Sequence, residues 1–380
     1  MTIHDCRSAI GLPVLLGGVI MAAGVIALRL AVTYQAPPAA SHSIDGGSVM
    51  RVIGGHDDFT FIRDLKILNG ILIVIDSPGG ESIKLVDPAS GRLIATTGRS
   101  GWGPGELQSP VSASISNDSM SFWVFDSMLG RIIQFTMDSV LTVNRTISTT
   151  ELIFHHEWRG DTLYANGFDD RSVIGFYSEV AGTLKRQRQI GMPPVADVQE
   201  SIGRHLNRNI FALSADGETF ATAFMYVGLI RLLTNDGTVV ADVKVGGGEA
   251  PRFSRASTRD AFRRTRETRW YFIDLERAGD VLLALYSGRN ERENPHESYR
   301  GTKIYAVSWR GELVDSLVLQ EGLETIAFEP HTGHLYGTRS DPYPAIVEVD
   351  WARLACLAAG QGKRGEGVTL WRDACEANQP

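Results

Sequence analysis

With three cysteines in 380 residues, no C-x-x-C pair and no H-E-x-x-H, the chain encodes neither a thiol redox centre nor a zinc-protease helix. His155-His156-Glu157 resembles the start of the latter, but position 160 is Gly. A G-x-S-x-G nucleophile elbow is missing too, because Ser100 is followed by Gly101 and Trp102. There is no acidic D-x-D-x-D-G loop for calcium. Beyond residue 48 no 3.6-residue apolar period persists, so long amphipathic helices are excluded. Basic charge is in deficit as well. The net charge is −7, and without residues 1–40 the chain holds 35 basic against 43 acidic residues. Such a body is a poor polyanion binder, and no nucleic-acid partner is expected.

What the chain has in quantity is turn-forming sequence, with 40 glycines and 15 prolines, beside 43% hydrophobic residues for a core. Charge is wholly absent from Ala9 to Leu28. Twenty helical residues at about 1.5 Å each span roughly 30 Å, the thickness of one bilayer core. The segment is read as an uncleaved anchor, with the remainder extracytoplasmic, in the periplasm or on the cell surface. Cleavage within the small-residue tract Ala36 to Ala40 would make the protein secreted. The chain thus divides into an anchor and linker (1–40), a repeat body (41–355) and a polar tail (356–380). Cys6 precedes the anchor. Cys356 and Cys375 either close a short disulfide loop or remain thiols.

The body is punctuated by turn dipeptides at Asn69-Gly70, Asn117-Asp118, Gly160-Asp161, Asp216-Gly217, Gly279-Asp280 and Thr332-Gly333. Each is followed by a strand-like run, such as ILIVID or VLLALY, because Asn, Asp and Gly tolerate the positive φ of tight hairpins. These runs begin near residues 71, 119, 162, 218, 281 and 334, at spacings of 48, 43, 56, 63 and 53 residues. That is the range of a four-stranded propeller blade. A second set of turns, at Ser90-Gly91, Asp138-Ser139, Ala181-Gly182, Asp236-Gly237 and Arg310-Gly311, supplies the other hairpin of each repeat. The last repeat lacks its fourth strand, which Ser48 to Ile53 can supply from the other end of the chain. The prediction is an all-β fold: a six-bladed β-propeller closed by an N-terminal strand and preceded by one transmembrane or signal helix.

Two stretches carry a family resemblance. Phe122-Trp-Val-Phe-Asp126 followed by Arg131-Ile-Ile-Gln-Phe135 is similar to the core of NHL-type repeats. Gly98 to Pro110 (GRSGWGPGELQSP) resembles the glycine-rich connector of bacterial exported six-bladed β-propellers of the NHL-repeat-like group. The resemblance implies the fold, with binding or scaffolding as its common use. In that frame Gly101, Trp102, Gly103, Pro104 and Gly105 form a joint between blades, with the glycines at positive φ and Trp102 packed between blades. A fainter copy of the joint stands at Gly246 to Pro251. Asp76 and Asp126, which end equivalent strands, and Arg131 are likewise inter-blade structural residues.

Two insertions exceed what a propeller needs. Ser254 to Arg269 is arginine-rich and predicts a short helix capped by Thr258 that could hold an acidic partner or a lipid headgroup, or pair with local carboxylates. Gly288 to Gly301 predicts a mobile loop. The innermost strands are assigned to Asp57–Leu68, Ala113–Asn117, Leu152–Trp158, Ile210–Ala215, Tyr271–Glu276 and Thr325–Glu329. Their polar members Asp58, Arg63, His155, His156, Glu157, Asp274 and Glu329 are the channel-facing ligand candidates, with strand hydrogen bonding and inter-blade ion pairing as the alternative roles. No catalytic residue and no metal ligand is assigned. The function expected is a non-enzymatic, membrane-tethered module that binds a protein, peptide or glycan without a cofactor. The alternative is a calcium-assisted, lactonase-like hydrolase, or a lyase, at the channel mouth.

Overall fold

Hairpins form where the turn dipeptides predict them. Asn69 and Gly70 take φ of 52° and 74°, and Ala181 and Gly182 take 51° and 75°. Two successive positive values are what a type I′ turn demands, and its twist matches the flanking strands. The structure, a computed structural model, describes residues 33–35 and 50–349 except 56, 78–79, 139–140, 168–171, 196–205, 248–250 and 256–261. Ala9–Leu28, Cys6, Thr258, Cys356 and Cys375 therefore lie outside the described residues. Among the described residues no helix is long and apolar enough to cross a membrane.

The chain is an all-β propeller. After β1 (Thr33–Gln35) and β2 (Met50–Gly55), it lays down successive antiparallel four-stranded units. The first is β3 (Ile62–Leu68), β4 (Ile71–Asp76), β5 (Glu81–Asp87) and β6 (Arg92–Arg99), and the second is β7 (Pro110–Ile115), β8 (Ser121–Asp126), β9 (Arg131–Met137) and β10 (Leu141–Ser148). Next come β11 (Ile153–Arg159), β12 (Thr162–Gly167), β13 (Ile174–Val180) and β14 (Thr183–Ile190), then β15 (Asn209–Leu213), β16 (Thr219–Phe224), β17 (Leu229–Thr234) and β18 (Val239–Lys244). A hairpin of β19 (Phe253–Arg255) and β20 (Phe262–Arg264) precedes β21 (Arg269–Ala278), β22 (Val281–Asn290), β23 (Gly301–Ser308) and β24 (Leu313–Leu323). The last unit is β25 (Thr325–Glu329), β26 (His334–Arg339) and β27 (Ala345–Val349), with β2 as its outermost strand, pairing antiparallel with β27. β1 adds a parallel strand outside β18, and a single Ser148–Thr183 bridge joins β10 to β14.

The strands are apolar on both faces because each sheet is sandwiched between its neighbours. Ile73, Ile75, Phe122 and Phe135 fill the space between the first two units. Trp123 stacks on Trp158 at 4.3 Å between the second and third. Corresponding cores join β11–β14 to β15–β18, that unit to β21–β24, and β21–β24 to β25–β27. A last core of Ile53, Leu65, Leu72, Ala327, Tyr336 and Ile346 lies between the final unit and the first. The innermost strands follow the same circuit: β3 neighbours β7, then β11, β15, β21, β25 and β3 again. All of them run from the face where connectors arrive to the face where their own hairpins turn. Since Met50 pairs with Val349, and Val349 with Leu335, β2 begins on that second face.

The Gly98–Pro110 connector is built differently from its sequence expectation. Only Gly98 and Gly105, at 74° and 73°, have positive φ. Gly101 and Gly103 are there for space, because a Cβ on either would strike the Glu106 carboxylate. That carboxylate accepts the Gly103 N–H at 2.6 Å and pairs with Arg99 at 2.7 Å, while Arg131 donates to the Gly103 and Glu106 carbonyls at 2.9 and 2.5 Å. Trp102 does not pack between blades: it is 73% exposed, and Leu107, 1% exposed, is the side chain the joint buries. A loop already folded around Glu106 and Arg131 has no room to turn an indole inward. Leu107→Ala is expected to cost about 3 kcal/mol by cavity formation, whereas Trp102→Ala stays within about 0.5 kcal/mol, as read from urea denaturation midpoints.

Where the structure describes the arginine-rich insertion it is extended and not helical, β19 pairing with β20, while Thr258 lies outside the described residues. Extended pairing sets Phe253 opposite Arg264. Phe253 packs edge-on against Tyr226, and the Arg264 guanidinium lies 4.6 Å from the Trp270 ring centre. Its charges are met locally: Arg264 pairs with Glu291, Arg269 with Glu293 at 3.2 Å and Glu267 with Arg292 at 3.4 Å. The partners come from Gly288–Gly301, whose ends are tied by the Ser287 hydroxyl to the Ser298 carbonyl at 2.6 Å. Among the described residues, Arg264 and Arg269 of the run are thus met by local carboxylates.

Candidate functional site

Four innermost strands, β3, β7, β11 and β21, each meet the next one in the circuit through one staple residue. β3, β7, β11 and β21 carry a register shift near their first residues. The residue past the shift is Asp64, Ser112, His155 or Asp274. A bulge re-aims one side chain without disturbing the rest of the ladder. Asp64 accepts the Ala113 N–H at 2.7 Å, Ser112 shares a hydrogen bond of 3.0 Å with His156 Nδ1, and the His155 ring meets Phe211 edge-on at 4.9 Å. Asp274 accepts the Ile326 N–H at 2.8 Å and the Thr325 hydroxyl at 2.6 Å. In every case the side chain reaches forward to the next innermost strand in the circuit.

Two residues further along, alternation brings Lys66, Ser114, Glu157 and Glu276 to the channel. They line a cavity of about 390 Å³ at the hairpin end, walled also by Arg159, Arg277, Glu329 and His331 and by apolar Leu68, Leu213 and Phe328. Lys66 stands 3.6 Å from Glu276 and 3.7 Å from Asp64. Burial alone would lower its pKa, but Asp64 and Glu276 outweigh that and raise it, so Lys66 is a fixed cation. Burial and the neighbouring Glu276 raise Glu157 to about 7. Glu276 is raised to about 7 by burial, with Lys66 opposing and Asp274 and Asp64 adding. Burial and Lys66 push His155 far below its usual value and His156 to about 3, leaving both imidazoles neutral at physiological pH.

The sequence candidates separate into three groups. His155, His156, Glu157 and Glu329 line the cavity, although the Glu329 carboxylate is partly spent on the His331 N–H at 3.1 Å. Asp274 is buried and committed to its staple. Asp58 and Arg63 are not part of the site. Both are exposed near the start of β3, at the opposite end of the channel, and Arg63 rests over the Phe61 ring. Lys66, Ser114 and Glu276 went unnoticed in the sequence, though the alternations Asp64-x-Lys66 and Asp274-x-Glu276 mark them.

Chemically, the cavity offers one fixed ammonium, carboxylates near neutrality and two neutral imidazoles. Ser112 and His156 resemble a nucleophile and its base, but both are buried and His156 Nε2 has no hydrogen-bond partner among the described residues. A triad would place an orienting carboxylate there. Among the described residues no three His, Cys, Asp or Glu side chains come together as a metal site.

No protein family and no curated protein matches the chain in sequence. Solved structures do match in fold. The WD40 repeats of RRP9 superpose with a TM-score of 0.51 at 12% identity, over 80% of this chain and 97% of that one. The β-propeller domain of Cps50 (Swd1) from Myceliophteria thermophila gives 0.48 at 12% identity over 79% and 99%, and U3-55K gives 0.48 at 12% over 80% and 98%. The likeness to the RRP9 repeats establishes what the sheets themselves display, a β-propeller.

Proposed function

We propose that the protein is a non-enzymatic binding module: a six-bladed propeller, tethered outside the cytoplasm by Ala9–Leu28, that takes a peptide segment of a protein partner at the hairpin-side mouth of its channel. The observation that carries this reading is the mouth itself, a polar, amphoteric cavity of about 390 Å³, lined from several units and holding, among the described residues, no assembled nucleophile–base–carboxylate set. The six-blade count rests on the circuit of innermost strands from β3 to β25. Membership of the NHL-repeat-like group rests on the Phe122–Phe135 and Gly98–Pro110 motifs, and the tether on twenty uncharged residues. A peptide is favoured over a glycan because the wall alternates ionic and aliphatic groups and its tryptophan, Trp158, is stacked on Trp123 behind it.

Calorimetric titration of the full-length protein with short peptides of differing charge tests the reading. At least one peptide class is expected to bind one-to-one and unchanged. Asn117→Trp, at an exposed position on the cavity rim, should abolish that binding while leaving the melting temperature intact. Conversion of the added peptide, or of an added lactone, at a rate that Asn117→Trp suppresses would overturn it in favour of an enzyme. Binding that persists in Asn117→Trp would place the site elsewhere.

A further inference from the structure

Within that binding reading, the cavity's unspent hydrogen-bonding groups define what it selects. Two of its three strong cations are already committed. Lys66 is held by Asp64 and Glu276, and Arg159 donates to the Ser214 carbonyl at 2.8 Å. Arg277 is an exposed rim residue. Several acceptors are not committed. The Glu157 carboxylate, part-buried on β11, has no hydrogen bond or ion pair among the described residues. Ser114, Ser116, His155 and His156 also line the cavity and are each at least nine-tenths buried. In every one of them a side-chain polar atom lacks a partner among the described residues: the two serine hydroxyls and both Nε2 atoms. Unpaired buried polar atoms of this kind are uncommon, and several around one cavity are the mark of a site that a ligand completes.

These groups favour a cation over an anion. A carboxylate or phosphate entering the cavity would confront Glu157 and Glu276 and find only Arg277 uncommitted. A protonated amine has three donors and no acceptor. It matches one free carboxylate flanked by hydroxyls and neutral imidazoles, whose lone pairs accept. Leu68, Leu213 and Phe328 in the same wall suit an aliphatic stem beneath the charged head.

We propose that the channel mouth is a lysine-selective pocket: it accepts the side chain of a peptide lysine, with the ammonium on Glu157 between Ser114, Ser116 and His155 and the methylenes along the apolar wall. Glu157 therefore binds either the lysine or a proton. The charged or titratable groups around it are Lys66 from β3, Glu276 and Arg277 from β21 and Arg159 from its own strand, with Glu329 and His331 lining the same cavity from β25 and the turn beyond it. His155 and His156 stay uncharged, so the carboxylates set the pH response. Because the carboxyl is raised to about 7, ammonium binding displaces a proton below neutrality. Affinity should rise about tenfold between pH 6 and pH 8 for one proton displaced.

The test titrates full-length protein with N-acetyl-lysine methylamide, N-acetyl-norleucine methylamide and N-acetyl-glutamate methylamide at pH 6, 7 and 8. The lysine probe is expected to bind at least tenfold more tightly than the norleucine probe at pH 8, with the tenfold gain from pH 6. Glu157→Gln should remove both the preference and the pH dependence, and its unchanged melting curve certifies the fold. Preference for the glutamate probe, equal binding of lysine and norleucine, or lysine binding untouched in Glu157→Gln would each overturn the proposal. If all three probes fail while a lysine-free peptide binds in the broader titration, the selectivity is wrong and the binding-module reading survives. If no peptide binds at all, both fall.

Discussion

Replacing Asp126 with alanine is expected to lower stability by about 4 kcal/mol, the largest loss for any single polar side chain outside the channel. Asp126 ends β8, is fully buried, and accepts backbone N–H groups from two separate segments. Gln108 and Ser109, which lead the connector into β7, donate at 2.6 and 3.2 Å, while Met128 and Leu129 of the following turn donate at 3.0 and 2.9 Å. One carboxylate thus fixes both the arrival of the innermost strand and the β8–β9 turn. Alanine leaves up to four donors without a partner at a position closed to water. Each unsatisfied group costs about 1 to 3 kcal/mol, with relaxation recovering part of the sum. Asp126→Asn keeps one acceptor oxygen and should lose roughly half as much. Asp76 does the same at the end of β4, accepting Thr60 and Phe61 N–H groups at 3.0 and 2.6 Å and the Lys84 ammonium at 2.7 Å. Urea denaturation of the alanine and asparagine variants checks the ranking, and a loss below about 1 kcal/mol for Asp126→Ala would mean that water replaces the carboxylate.

Asp76 and Asp126 were legible in sequence because a strand-ending aspartate acts on nearby backbone, and local acts leave local signals. The hairpins were legible for the same reason, since Asn69-Gly70 needs no distant partner to turn. Of the staples, His155 and Asp274 were legible only as polar members of innermost strands, and Asp64 and Ser112 were not. Whether Asp64 or Arg63 faces the next innermost strand depends on one extra residue in the bulge after Ile62, and a single-residue slip exchanges every side chain between faces. That slip is why Arg63 stands in the channel assignment in place of Asp64, whereas Asp58 lies ahead of the innermost strand, which starts at Ile62 and not at Asp57. Trp102 and the Ser254–Arg269 segment failed for a different reason. Residue type suggested burial for one and a helix for the other, but the cage that Glu106 forms with the distant Arg131, and the carboxylates of the Gly288–Gly301 segment, decided both. The cavity is the extreme case. Lys66, Glu157 and Glu276 are 91 and 119 residues apart along the chain, and only closure of the ring brings them together.

That closure rests on β2, and prolines at both Arg51 and Val52 are expected to break it, at about 3 kcal/mol or more. In an antiparallel pair alternate residues direct their N–H groups at the partner, so two successive prolines remove at least one bond to β27 whichever residue donates. The loss extends past that bond. Ile53, on the same strand, belongs to the core shared by the last and first units, and the edge freed by β2 would belong to β27, whose Ala345, Val347 and Val349 are buried. By contrast the Arg51–Glu348 ion pair, at 2.5 Å on a 59% exposed arginine, contributes little, and Arg51→Ala alone should change stability by less than about 1 kcal/mol. A second route to the same end is Gly91→Ala, because Gly91 has a φ of 68° and a Cβ there would collide with the Ile53 carbonyl oxygen. It strains the seam from the first unit's side. If β2 is the clasp, both variants lower the unfolding midpoint and expose the β27 edge, seen as concentration-dependent association at low denaturant. Retention of the native midpoint by the double-proline variant would show that the ring is held by its inter-sheet cores alone, and that β2 merely lies along a ring already closed.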